Sequence, residues 1–146
     1  MKSIWIIMAL LSGVFLPLQG GINARLGKEI ASPVHASLIS FLVGAAALFM
    51  YTLLTRQHLQ LGGLKAAPAY MWTGGLLGAF YVTIIILAFP KIGPALTFGL
   101  VVAGQMIASL ILGHFNILVE HATPINAYKL LGVVLVIGGV IIIRKF

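Results

Sequence analysis

Four polar side chains fall within or at the ends of long apolar segments and could hydrogen-bond a small solute there; they are Gln19, Asn23, Tyr81 and Gln105. An amide or hydroxyl without a partner in an apolar environment costs several kcal/mol, so these groups are expected to face protein. We predict that the four residues line a solute-binding site. For Gln105 a purely structural role remains equally open, and the Tyr81 hydroxyl needs a partner in either case.

Pro17, Gly20 and Gly21 predict a break in the first apolar segment. Proline removes a backbone hydrogen bond and kinks a helix, and glycine loosens it further. A break at membrane depth is tolerated where it is packed in protein or lines a cavity, and transporters place binding sites at such breaks. The alternative is that the helix simply ends here and Gln19 to Asn23 reach the lipid headgroups.

The sequence offers few side chains for acid–base catalysis, because it contains no aspartate and only Glu29 and Glu120 as acidic residues. We predict that the chain is not an enzyme, because no nucleophile, phosphate-binding or metalloprotease motif occurs either. Any protons that take part would be carried by His35 or His114, since imidazole titrates near physiological pH. The spacing of the histidines matches no metal site, so neither a metal nor another cofactor is expected.

The small number of acidic residues also limits the charge that the solute can carry. With no carboxylate inside a clear apolar segment, we expect a solute that is neutral or anionic, because a buried cation would need a negative partner. Glu120 is the residue that could overturn this expectation. The apolar stretch Ile117 to Val119 just before it could draw its loop into the membrane.

The composition indicates how these residues are positioned. Hydrophobic residues make up 61% of the chain and charged residues 8%, whereas a soluble domain has about a quarter charged residues. A membrane span needs about 20 apolar residues, and five stretches reach or approach that length. We predict an all-α, multi-pass bundle in the cytoplasmic membrane, surrounded by lipid and formed as a single domain over residues 1–146. Its helices are predicted at about 4–22, 34–54, 70–89, 92–112 and 128–143.

The net charge of +7 would suggest nucleic acid as the partner of a soluble protein. Here the cations lie at the ends of apolar segments, where Lys and Arg anchor membrane helices, so no nucleic-acid partner is expected. With five spans, one membrane face receives Lys2, Arg56, Lys65 and Lys129. The other receives Arg25, Lys28, Lys91, Arg144 and Lys145. This near-tie leaves two possibilities open, a weakly fixed orientation with the C-terminus inside and dual topology.

Small residues recur four positions apart on the predicted helices, a spacing that allows two helices to approach closely. We predict that Gly74, Gly78, Gly99 and Ala103 pack a dimer interface.

Several sequence stretches resemble a known group of membrane proteins. They are Gly93-Pro94-Ala95-Leu96-Thr97, Ser109-Leu110-Ile111-Leu112-Gly113-His114 and the glycine-rich run from Leu130 to Val140. Together they resemble the last two helices of a half-unit in the drug/metabolite transporter superfamily. Pro17, Gln19, Asn23 and Leu26 resemble the first helix of its small five-helix YdcZ-like branch. The chain departs from relatives at His114, where an acidic residue is common, and it lacks the first-helix glutamate of the small multidrug exporters.

The resemblance implies that the chain is one half of an inverted-repeat transporter fold. It would then act as an antiparallel homodimer, or with a paralogue, and move a small-molecule substrate by alternating access. We expect a secondary transporter, most simply an exporter. Two alternatives belong to other classes: a non-transporting subunit that stabilises a membrane complex, and a lipid-handling protein whose groove opens sideways to the bilayer.

Overall fold

The computed structural model describes residues 2–58 and 61–146, and within these ranges the chain forms helices and no strand. The helices are α1 (Lys2–Glu29), α2 (Pro33–Leu54), α3 (Leu61–Ala66), α4 (Gly74–Ile92), α5 (Pro94–His114) and α6 (Ala127–Lys145). A 3-10 turn at Ala69–Thr73 leads directly into α4. Five segments are long and apolar enough to cross a membrane: α1, α2, the turn with α4, α5 and α6. The predicted all-α membrane fold is confirmed.

Helix α1 differs most from its prediction. It was expected to end near residue 22 and to break at Pro17, Gly20 and Gly21, but it continues through all three to Glu29. The predicted break is therefore wrong. Proline removes only one backbone hydrogen bond, whereas each further backbone group freed inside a bilayer would cost several kcal/mol. The remaining bonds of the helix are kept for that reason.

Local capping sets where α2 and α6 begin. The Ser32 hydroxyl accepts a hydrogen bond from the backbone N–H of His35 at 3.2 Å, and Pro33 occupies the first turn of α2. Asn126 caps α6 in the same way, accepting from the backbone N–H of Lys129 at 2.9 Å. Each cap satisfies a backbone donor that the first helical turn leaves unpaired.

The chain divides into two compact units, Met1–Lys91 and Ile92–Phe146. In the first unit, buried Ala36, Val82 and Ile86 form the core, with Leu26 and Tyr81 packed against them. The hydroxyls of Ser37 and Thr83 lie 2.8 Å apart and join α2 to α4. Gly27 is buried where α1 meets this core, and a Cβ there would lie 3.0 Å from Ile86 Cγ2. Glycine therefore permits the close approach of α1 to α4.

The second unit is held by contact between α5 and α6 and by the loop that joins them. The backbone N–H of Thr123 donates to the carbonyl of Gly113 at 2.8 Å. The Lys129 ammonium donates to the carbonyls of Thr123 at 3.1 Å and Pro124 at 2.8 Å. This loop folds back onto the end of α5 and the start of α6.

Three of the four small residues predicted at a dimer interface pack against other side chains of their own chain. Gly78 faces the Phe41 ring, Gly99 faces the Val140 side chain, and Ala103 is buried. Gly78 and Gly99 remain partly exposed, and the role of all three at a dimer interface stays a prediction. Gly74 is different, since a Cβ at that position would meet nothing within 4 Å.

Candidate functional site

A small cavity lies between the second half of α1 and the middle of α4. Its volume is about 10 Å³, which is close to the space that one water molecule requires. Three residues predicted as solute-binding line it together: Gln19, Asn23 and Tyr81. The rest of the lining is uncharged and consists of Leu16, Gly20, Val82, Ile85 and Ile86.

Tyr81 contributes the cavity's unpaired group. Its hydroxyl oxygen is buried and has no hydrogen-bond partner among the residues that the structure describes. Leaving a buried hydroxyl without a partner costs about 1–3 kcal/mol. A water molecule or a polar group of a solute in the cavity would remove that cost.

Asn23 lies across from Tyr81 on α1 and is only 5% exposed. Its Nδ2 group donates to the Ser40 hydroxyl of α2 at 3.0 Å. An amide offers two donors and one acceptor oxygen, so this bond holds Asn23 in place and uses only one of its donors. Sequence reasoning did not single out Ser40. Its spacing of three residues from Ser37 could have indicated a role in helix packing, because that spacing puts both hydroxyls near one face of α2.

Gln19 lies one turn before Asn23 on the same face of α1, as the spacing of four residues requires. Its side chain is exposed, although it borders the cavity. Gly20 lines the cavity beside it and is buried. The arrangement places two amides on α1 opposite a hydroxyl on α4.

Gln105, His35 and His114 do not line this cavity. Gln105 lies in the middle of α5 and is exposed. His35 is exposed in the first turn of α2. His114 ends α5, and its Nδ1 accepts a hydrogen bond from the backbone N–H of Ile125 at 3.2 Å. That bond requires an unprotonated Nδ1 and gives His114 a structural contact in the loop.

The sequence between residues 4 and 142 matches a family described as "Putative inner membrane exporter, YdcZ". The chain belongs to the YdcZ family. It is 28% identical over 148 residues to the inner membrane protein YdcZ of Escherichia coli (strain K12), covering 99% of this chain and 97% of that protein. No solved structure matches the chain.

Membership of the YdcZ family confirms the resemblance found in the sequence and the broad class of membrane exporter. Together with the five apolar helices, it identifies the chain as a multi-pass inner membrane protein. The abundant large apolar side chains that the fold leaves exposed are explained by this location, because lipid covers them in a membrane.

Proposed function

We propose that this YdcZ family member exports a small solute by alternating access, and that Gln19, Asn23 and Tyr81 bind the solute. The observation that carries the proposal is the unpaired Tyr81 hydroxyl in a cavity that also contains two amides. A group left without a partner at a cost of about 1–3 kcal/mol gains most from a ligand that hydrogen-bonds to it. Transporters built from inverted repeats bind their substrates near the middle of the membrane.

The lining also limits the kind of solute. No charged side chain borders the cavity, and an ion moved into it would have no opposite charge to compensate for lost water. We therefore propose a neutral solute that is recognised through hydroxyl or amide groups. The volume of about 10 Å³ is too small for any solute larger than water, so α1 and α4 must separate for binding.

We further propose that the working unit is an antiparallel dimer. The exposed Gln105 amide lies in the middle of α5, where lipid offers no hydrogen-bond partner. A second copy of the chain could cover it and supply that partner. The near-tie in Lys and Arg between the two faces supports insertion of the chain in both orientations.

A reporter at the C-terminus tests the dimer proposal, and we expect it to show both orientations in one membrane. As a control, the double variant Lys2→Gln/Arg56→Gln lowers the cation count on one face from four to two, and should give mainly one orientation. A single orientation in the unaltered chain, with no paralogue of opposite orientation in the cell, would contradict the proposal.

Tyr81→Phe tests the binding site. We expect solute flux to fall by about threefold to tenfold, which corresponds to one lost neutral hydrogen bond. Because the variant removes an unpaired buried hydroxyl, the free energy of unfolding should stay the same or rise. The exposed Tyr51 of α2 provides the matched control, and Tyr51→Phe should change neither quantity.

The measurement begins with a broad panel of solutes tested on cells that lack the gene, followed by flux in proteoliposomes for any solute found. Unchanged flux in Tyr81→Phe with normal folding would exclude Tyr81 from the site. If no solute passes and a membrane protein co-purifies tightly instead, the chain is a non-transporting subunit.

A further inference from the structure

A second and larger cavity is an open groove that lies outside the solute site. Its volume is about 650 Å³, and it runs along the second half of α1 and the last turns of α4. We call it the lateral groove. It is lined by Pro17, Leu18, Gly21, Ile22, Ala24, Arg25, Gly27, Lys28, Pro33, Ile86, Leu87, Phe89, Pro90 and Lys91.

The length of the lateral groove matches one leaflet of a membrane. On α1 it extends from Pro17 to Lys28, and 11 residues at 1.5 Å each span about 16 Å. Half of a hydrocarbon core about 30 Å thick is about 15 Å. The lateral groove is therefore long enough to hold the headgroup end of a membrane lipid together with the first part of an acyl chain in that leaflet.

The two ends of the lateral groove differ in chemistry. The end near Pro17 and Leu18 is apolar, and the Phe89 ring lies against Gly21 farther along. The other end carries Arg25, Lys28 and Lys91, in the last turns of α1 and α4, and all three are exposed. Glu29 follows on α1 but does not line the groove. The cations therefore lie at the end of the groove where the helices leave the membrane.

We infer that the lateral groove binds an anionic phospholipid, with an acyl chain along α1 and α4 and the phosphate at Arg25, Lys28 and Lys91. Arginine and lysine are suited to phosphate, and basic sites between membrane helices bind anionic headgroups. A phospholipid such as phosphatidylglycerol joins a negatively charged phosphate to apolar acyl chains. The site differs from the solute cavity, whose lining carries no charge.

Competition between lipids tests this inference on the full chain. Protein in vesicles of equal phosphatidylglycerol and phosphatidylcholine is extracted gently, and the bound lipids are measured by native mass spectrometry. Each cation near the membrane surface contributes about fivefold in affinity, so we expect phosphatidylglycerol to be strongly preferred. The triple variant Arg25→Gln/Lys28→Gln/Lys91→Gln should lower that preference by roughly 100-fold.

Two further triple variants distinguish an effect of the groove on lipid preference from the effects of net charge and of misfolding. Lys2→Gln/Arg56→Gln/Lys65→Gln removes the same net charge from the opposite membrane face and should keep the preference. Arg25→Lys/Lys28→Arg/Lys91→Arg keeps all three cations and should keep it too, which shows that charge at these positions is what matters. Ala24→Phe fills the groove without altering charge and should weaken binding of the lipid.

Several results would overturn the inference. One is equal retention of the two lipids by the unaltered chain, and another is equal loss in the groove triple and its distant control. Full displacement of the lipid by soluble glycerol phosphate would show that the acyl chain is not bound. Loss of a dimer in the groove triple, without any lipid preference in the unaltered chain, would identify a second copy as the occupant.

Discussion

Replacing Asn23 by alanine is expected to lower solute flux at least tenfold while lowering the free energy of unfolding by less than about 2 kcal/mol. Hydrogen bonds between membrane helices contribute little to stability, so the lost bond from Asn23 to Ser40 should be tolerated. The amide itself lines the proposed solute cavity beside Gln19 and opposite Tyr81. Its loss should therefore affect solute binding much more than folding.

Ser40→Ala is the matched control for this prediction, because it removes the same hydrogen bond and leaves the Asn23 amide in the cavity. Its effect on stability should equal that of Asn23→Ala, and most of the flux should remain. Both variants are compared by unfolding in detergent and by flux in proteoliposomes. Equal loss of flux in the two variants would mean that Asn23 acts through helix packing and not by touching the solute.

Gly27→Leu is expected to destabilise the first unit by about 3 kcal/mol, the upper end of the usual cost of overpacking. The first added carbon alone would lie 3.0 Å from Ile86 Cγ2 and 3.5 Å from the backbone of Pro33. Leucine adds three more carbons where three helices meet, so α1 must move away from α2 and α4. Thermal unfolding of the purified protein measures the change.

Gly13→Leu is the control on the same helix, where an added Cβ meets nothing within 4 Å. It should leave the unfolding temperature nearly unchanged, because leucine is a good helix former and lipid accepts its side chain. If Gly27→Leu proves as stable as Gly13→Leu, the close contact between α1 and α4 at Gly27 is incorrect.

The spans could be predicted because membrane thickness sets a minimum apolar length, and composition alone shows where that length is reached. The end of α1 could not be predicted in the same way. All residues from Asn23 to Glu29 except Leu26 are polar or small, yet they remain helical and carry Asn23, Gly27 and two groove cations. Hydropathy predicts a helix only as far as its apolar residues extend, whereas the backbone hydrogen bonds of the helix continue beyond them.

Only part of the candidate site could be predicted from the sequence. Gln19, Asn23 and Tyr81 stood out as polar groups in apolar segments, and the structure brings these three to one cavity. Pairings such as Asn23 with Ser40 and Ser37 with Thr83 join residues 17 and 46 positions apart. They depend on how the helices pack against each other, which one sequence does not specify. Gln105 is likewise a polar residue within an apolar segment, but it lies exposed on α5.

The small size of the proposed solute cavity bears on whether protons can leak through it across the inner membrane. Protons cross an apolar region quickly only along an unbroken chain of hydrogen-bonded waters. A cavity of about 10 Å³ holds about one water, and Leu16, Val82, Ile85 and Ile86 surround its polar groups with apolar side chains. Room for about one water is too little for such a chain, so we expect no rapid proton leak through this cavity while α1 and α4 stay together.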